Sequence, residues 1–349
     1  MKGISPLPAI VIDNGSGYIK AGFAGDEKPR AVIPSVVGHP HDVGVNGYCV
    51  GGEAMRCNNL CLTKPIQHGL VTDWDDLERL WDYTIFDGLH TTPQDRNVMI
   101  TQAPLTTLAE RRYKAQTLFE SFGVAACHFA SQPFLSLFSG GRSTGLSLDI
   151  DTIDPAVWRL DFGGRDITDY LLRLFVQLGY DSMGTNDARM VKEDLCFVAI
   201  NFNREIRKLG RRLVSYTLPN RRNVLVGEQR FKATETIFDP YRSGLDDGIH
   251  NYVFDSIMKC EPEIQPQLFG NIVLSGGTAM IRNLPGRFAA EISKLTDHKV
   301  NVYSPQNARN SVFVGASMLA SLPQTRKLFI RKHEYEEYGA SILARKSLG

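Results

Sequence analysis

The sequence contains no hydrophobic run near the ~20 residues that a membrane-spanning helix needs. Its opening, MKGISPLPA, has no apolar stretch of the kind a secretory signal carries, so we expect a protein of the cell interior. Neither sign of charge is in excess. With 39 Lys and Arg against 38 Asp and Glu the net charge is +1, and no global field favours nucleic acid or a membrane surface. Cysteine is sparse, six in 349 residues, and these read as reduced thiols of a cytosolic or nuclear protein. His39, His41, Cys49, Cys57 and Cys61 lie close together in the sequence. No second Cys or His pair follows Cys57-x-x-x-Cys61 at a finger-like distance, so they read as unrelated surface and core residues rather than zinc ligands.

What is present is ordinary for a soluble globular chain: 43% hydrophobic and 22% charged residues, in a length sufficient for two or three domains. Strand-like and helix-like runs alternate, which indicates the α/β class. Residues 9–12 form a short β-branched run, and 18–23 is apolar around Lys20. Asn14-Gly15 between them predicts a tight hairpin turn with positive φ at both central residues. A strand after these glycines, not a helix, separates the stretch from the P-loop and the dinucleotide fingerprint. The N–H groups of Asn14-Gly15-Ser16-Gly17, with Lys20, would suit a phosphate. Asp13 beside them would then need a divalent cation, Mg²⁺ or Ca²⁺, held through water. An ordinary structural hairpin with a surface lysine fits the same residues.

Further along, 73–86 is amphipathic, with Leu77, Leu80, Trp81 and Ile85 on one face and an acidic start. Strands are expected at 97–102, 145–150, 158–164 and 271–274, and helices at 108–121, from 132, at 167–178 and at 187–199. The apolar segment 311–322 reads as a helix whose small residues suit close packing on a sheet. A glycine turn, Ser275-Gly276-Gly277-Thr278, follows the strand at 271–274. A strand ending in Asp, a turn, more strands and then helices occur in each half. Such a weak repeat can clamp a ligand in a hinging cleft.

Several runs then carry a name: DNGSGYIKAGFAGDEKPRAVIPSVVG (13–38), KPIQHGLVTDWDD (64–76), APLTTLAERR (103–112), RLDFGGRDITDYL (159–171), SIMKC (256–260), NIVLSGGTAMI (271–281) and SMLASL (317–322). In this order they resemble actin and its relatives over nearly the whole chain. The resemblance implies a duplicated α/β fold of the actin, sugar-kinase and heat-shock chaperone ATPase type, two lobes around a nucleotide cleft. It places the first lobe at 1–132, the second at 133–322, and a segment returning to the first lobe at 323–349. It implies ATP or ADP with Mg²⁺ or Ca²⁺. Gly15, Ser16, Gly17 and Lys20 would hold phosphates, and Asp13 and Asp149 would order the cation's water. Gly164, Arg189, Lys192, Glu193, Gly276, Gly277 and Met280 would line the adenosine, with Arg309 where the family has lysine. Gln132 matches the glutamine that positions the attacking water, and His68 the histidine that actins often methylate. Gly141, Ser143, Leu319, Leu322, Leu328 and Phe329 match a groove for helices of actin-binding proteins, and core packing explains Leu319 and Leu322 equally well.

The sequence also departs from the family. Its second phosphate hairpin, LSLDIDTIDPAVWRLD (146–161), is shorter, has no glycine at the turn, and lacks the family's histidine. Ile150 replaces a small residue and Pro155 removes an N–H donor; Asp151 or Asp154 would have to stand in for the missing second aspartate. The loop at 38–54 and the plug at 239–250, with Tyr241-Arg242-Ser243 at an otherwise apolar tip, are altered as well, and the acidic N-terminus is missing. Residues 204–222 are rich in arginine and read either as a solvated face or as a contact for an acidic partner. The expectation is therefore an ATP-binding cytoskeletal protein of the cytoplasm, with the nucleus as a further location. It would associate with other actin-family subunits or form filaments and would hydrolyse ATP weakly. The alternatives are a non-enzymatic structural subunit of a larger complex and, less favoured, a phosphotransferase of the same fold.

Overall fold

The computed structural model describes residues 7–41, 47–57, 59–142, 145–148, 160, 162–209 and 212–346. The chain divides into two compact units, Met1–Ser143 with Asn310–Gly349, and Thr144–Arg309.

The first unit is built on a six-stranded mixed sheet. Strand β1 (Ile10–Asn14) pairs antiparallel with β2 (Tyr18–Phe23) and parallel with Asn97–Gln102. Strand β3 (Ala31–Pro34) continues from β2, while Ala126–Ser131 and Ile330–Arg331 complete the other side. Every residue of β1 is buried, because helices cover both faces and a strand between two layers must be apolar on each. Alternation along the strand assigns the layers. Ile10 and Ile12 pack with Leu77, Leu80 and Trp81, whereas Val11 packs with Met99, Leu135 and Phe313. The predicted helix at 73–86 is present as Trp74–Tyr83, capped by Asp73, whose carboxylate accepts from the N–H of Asp76 at 3.0 Å. It runs on into a wider π-type turn, Thr84–Gly88. The helix expected over 108–121 is likewise Leu108–Gln116 followed by a π-type turn. Small residues in Ser311–Ser321 do allow close packing, and the closest approach is to another helix. A Cβ on Gly315 would lie 2.0 Å from the backbone oxygen of Leu135, in the helix Gln132–Ser139.

The second unit has a three-stranded parallel sheet, Leu146–Leu148, Ile272–Leu274 and Val302–Tyr303 in that order. Ile167, Leu171 and Phe175 of the helix Gly164–Val176 pack with Ile272, Leu274, Phe269 and Phe288 in its core. Beyond Leu148, the expected second hairpin lies outside the described residues, Leu160 apart.

Three local expectations are corrected. The turn after β1 is not the primed type. Asn14 stays in the strand opposite Ile19, and neither Asn14 nor Gly15 has positive φ. The reason is tertiary: Asn14 donates its N–H to Thr101 Oγ1 at 3.0 Å, and its side-chain oxygen accepts from Trp81 Nε1 at 3.1 Å. Second, the described part of 158–164 is not a strand. The N–H of Gly163 donates to Asp166 Oδ2 at 2.6 Å, and this start signal opens a helix at Gly164. Third, the helix predicted over 187–199 is Thr185–Leu195. Cys196 is extended, and the next residues bond elsewhere, Phe197 N–H to Arg230 O and Val198 N–H to Arg282 O.

Candidate functional site

The β1–β2 hairpin gathers polar groups that the rest of its sheet excludes. Asp13 and Lys20 lie opposite each other in the ladder, and Lys20 Nζ donates to Asp13 Oδ2 at 2.7 Å. Both are almost fully buried, at 2% and 9% exposure, so each supplies the counter-charge that makes the other's burial tolerable. Thr101 Oγ1 donates to the other oxygen of Asp13 at 2.9 Å. Gln132 Nε2 reaches Thr101 Oγ1 at 3.2 Å and the carbonyl of Asn14 at 3.5 Å.

The connecting residues are organised with their carbonyls tied back. The Gly15 carbonyl accepts from Ser35 Oγ at 2.6 Å, and the Gly17 carbonyl accepts from Ser35 N–H at 3.0 Å. Ser16 Oγ accepts from the N–H of Gly69 at 2.8 Å, which leaves its own O–H available to donate. Among the described residues, the backbone N–H groups of Ser16 and Gly17 donate to nothing. Successive unused N–H groups at a bend form an anion-binding concavity. The two glycines are required for different reasons. A Cβ on Gly15 would stand 2.7 Å from the Tyr18 carbonyl oxygen, whereas a Cβ on Gly17 would meet no protein atom within 4 Å. The hairpin therefore needs glycine at 15, and at 17 it leaves room for something else to approach. These residues fit a phosphate with a cation beside Asp13.

In the second unit the adenosine residues suggested by the resemblance also converge. Lys192 Nζ donates to the carbonyl of Gly164 at 2.6 Å. Burial pushes the Lys192 amine below the ordinary lysine value, partly opposed by the charge of Glu193. A Cβ on Gly164 would lie 3.0 Å from Thr278 Oγ1 and 3.4 Å from Lys192 Nζ, so this glycine keeps the helix start close to the turn after Ile272–Leu274. Glu193 links the two arginines, pairing with Arg189 Nη1 at 3.2 Å and with Arg309 Nη2 at 3.5 Å. Gly276 has φ +77°, a conformation that favours glycine, and its N–H donates to the Ala308 carbonyl. A Cβ on Gly277, as on Gly17, would meet no described protein atom within 4 Å, and Met280 is 44% exposed.

The remaining candidates are placed differently. Asp149 and Ser143 lie outside the described residues. Gly141 ends the helix Gln132–Ser139 with φ +67°. Leu319 and Phe329 are core residues, Leu328 is half-buried and Leu322 is exposed. His68 sits at positive φ, 47°. His39 bonds Asp76 at 2.9 Å, and among the described residues no group of three or more His, Cys, Asp or Glu is arranged to hold a metal. All six cysteines carry free thiols, and no described helix is long and apolar enough to cross a membrane.

Thr101, Ser35, Gly69 and Trp81 support the hairpin and were not anticipated from the sequence. Thr101 did leave a trace there, as a hydroxyl near the end of the otherwise buried run NVMIT.

A family model described as Actin matches residues 4–187 and 180–348. An actin-like protein of Neurospora crassa is 34% identical over 361 aligned residues, which cover 94% of this chain and 95% of that protein. Matched in both halves by that model and nearly end to end by that relative, the chain belongs to the actin family and has its duplicated α/β ATPase fold.

Proposed function

We propose that this protein binds ATP or ADP with Mg²⁺ or Ca²⁺ and works as an actin-like cytoskeletal protein of the cytoplasm that associates with, or forms, filaments. The observation that carries the reading is the pair of unused N–H groups at Ser16 and Gly17 above the buried Asp13–Lys20 pair. Gly15, Ser16, Gly17 and Lys20 take the phosphates. Asp13, with Asp149, orders the water shell of the cation, which supplies positive charge against the phosphate oxygens. Lys20, whose ammonium donates to Asp13, would supply its remaining donors to a bound phosphate. Gly164, Arg189, Lys192, Glu193, Gly276, Gly277, Met280 and Arg309 take the adenosine. Gln132 anchors its amide nitrogen on Thr101 and Asn14 and keeps its amide oxygen to orient water.

Hydrolysis is weak in this reading, because residues 146–161 lack both the turn glycine and the histidine of the family. Losing a positioned catalytic group costs about 10²–10⁴-fold in rate. The same departure favours the second reading, a structural subunit in which nucleotide only stiffens the fold. Tyr241, fully exposed in the altered plug, supports contact with other actin-family subunits, and the arginine-rich 204–222 segment supports an acidic partner.

The test is ATP binding and turnover on the purified protein with Mg²⁺. Lys20→Ala should weaken binding tenfold or more, and Gln132→Ala should keep binding but abolish residual turnover. Binding without turnover in the unmodified protein selects the structural reading; absence of binding overturns both. Concentration-dependent sedimentation separates a filament former from a monomer that copurifies with partners.

A further inference from the structure

A second basic centre forms where the helix Thr185–Leu195 ends, and it shares no residue with the proposed nucleotide set. Phe197 N–H donates to the carbonyl of Arg230 at 3.1 Å, and Val198 N–H donates to that of Arg282 at 2.9 Å. Phe197 and Arg282 form a parallel bridge. With their backbones fixed in this way, both arginines lean on one ring, their guanidinium carbons 5.9 and 5.7 Å from the Phe197 centroid. Arg230 is held further, donating from Nε to the Gly227 carbonyl at 2.9 Å and from Nη2 to the Arg212 carbonyl at 3.0 Å. Arg212, Arg230 and Arg282 line one cavity of about 550 Å³ together with Phe197, Leu213, Val214 and Asn283.

Among the described residues, no carboxylate lines this cavity. Glu205 acts on Arg230 from outside it. Among the described residues, the guanidinium groups of Arg212 and Arg282 make no ion pair. Guanidinium stays charged at any accessible pH, so those of Arg230 and Arg282, which act on each other here, repel unless an anion is present. Packing on the Phe197 ring holds both in place regardless, and hydrogen bonds to backbone carbonyls fix Arg230 further. The fork of donors on each matches phosphate oxygens. The volume is that of a small-molecule site, and the exposed cations of the helix Phe202–Leu209, Arg204, Arg207 and Lys208, extend an attractive field around it.

We propose that this cavity binds a compact polyphosphate, a small molecule or a lipid headgroup that carries two or more phosphate groups. The test is calorimetric titration of the whole protein with inositol trisphosphate in the presence of saturating ADP, which keeps the proposed nucleotide site out of the measurement. One equivalent should bind, and Arg212→Ala/Arg282→Ala should weaken it tenfold or more. Both residues are exposed and make no ion pair, so the double variant should melt with the unmodified protein. No binding, or equal binding by the double variant, overturns the proposal. Equal affinity for polyglutamate also overturns it, in favour of an acidic protein surface. Capture on vesicles containing phosphatidylinositol bisphosphate, but not on phosphatidylserine vesicles of matched charge, assigns the headgroup; trisphosphate binding without vesicle capture assigns a soluble ligand.

Discussion

Lys20 in the first unit donates to a carboxylate, Asp13, at 2.7 Å; Lys192 in the second donates to a backbone carbonyl, that of Gly164, at 2.6 Å. Both belong to the proposed nucleotide set, yet their charges are balanced differently. Lys20 has its counter-ion built in, so the fold carries a neutral pair before any ligand arrives. Lys192 has no bonded carboxylate among the described residues, and burial pushes its amine down. The first lysine therefore supports the fold as well as the proposed phosphate. The second is tolerated by the fold and is better satisfied by an added acceptor.

The largest effect expected from this contrast is on stability. Lys20→Met strands Asp13 in the core and should cost about 3–5 kcal/mol in urea unfolding. Lys192→Met exchanges one hydrogen bond for relief of desolvation and should stay within about 1 kcal/mol of the unmodified protein. Equal losses would break the comparison. The glycines sharpen it at a smaller scale. Gly15→Ala drives a Cβ against the Tyr18 carbonyl and should cost about 1–3 kcal/mol. Gly17→Ala and Gly277→Ala enter open space and should change stability by no more than about 0.5 kcal/mol. Weakened ATP binding in those two variants would show that their room serves the ligand.

The smallest effect is a pH slope. The folded pKa of Lys192 lies below the ordinary 10.5. Between these two values the unfolded chain holds more protons than the folded one, so stability rises with pH across that window. Below the folded pKa both states are charged and the slope vanishes. The difference in unfolding free energy between the unmodified protein and Lys192→Met should therefore shift in favour of the former as pH approaches 10.5. A flat difference would mean that burial does not penalise this ammonium.

Several features were legible before the structure because their causes are local or periodic. Leu77, Leu80 and Trp81 recur at helical spacing, and Asp73 is a capping residue at the right place. Ile10–Asn14 and Tyr18–Phe23 are apolar runs of strand length, and Asn97–Gln102 has the boundaries expected of it. The candidate phosphate residues were legible from glycine spacing beside Lys20. The Asn14-Gly15 turn was misread because Trp81 and Thr101, distant in the chain, hold Asn14 in the strand. The end of the helix at Leu195 was misplaced for a related reason: Phe197 and Val198 bond to Arg230 and Arg282, and no breaker in the sequence marks that exchange.

From the order of residues alone came the α/β class, the family resemblance and the positions of the glycine turns, since these depend on composition, periodicity and motif spacing. The pairing of Asp13 with Lys20 and Thr101, the N–H groups of Ser16 and Gly17 left unused among the described residues, and the meeting of Arg230 and Arg282 on Phe197 required the folded chain. Each joins segments through hydrogen bonds or burial at long sequence separation, and no local pattern records which distant group will supply the partner.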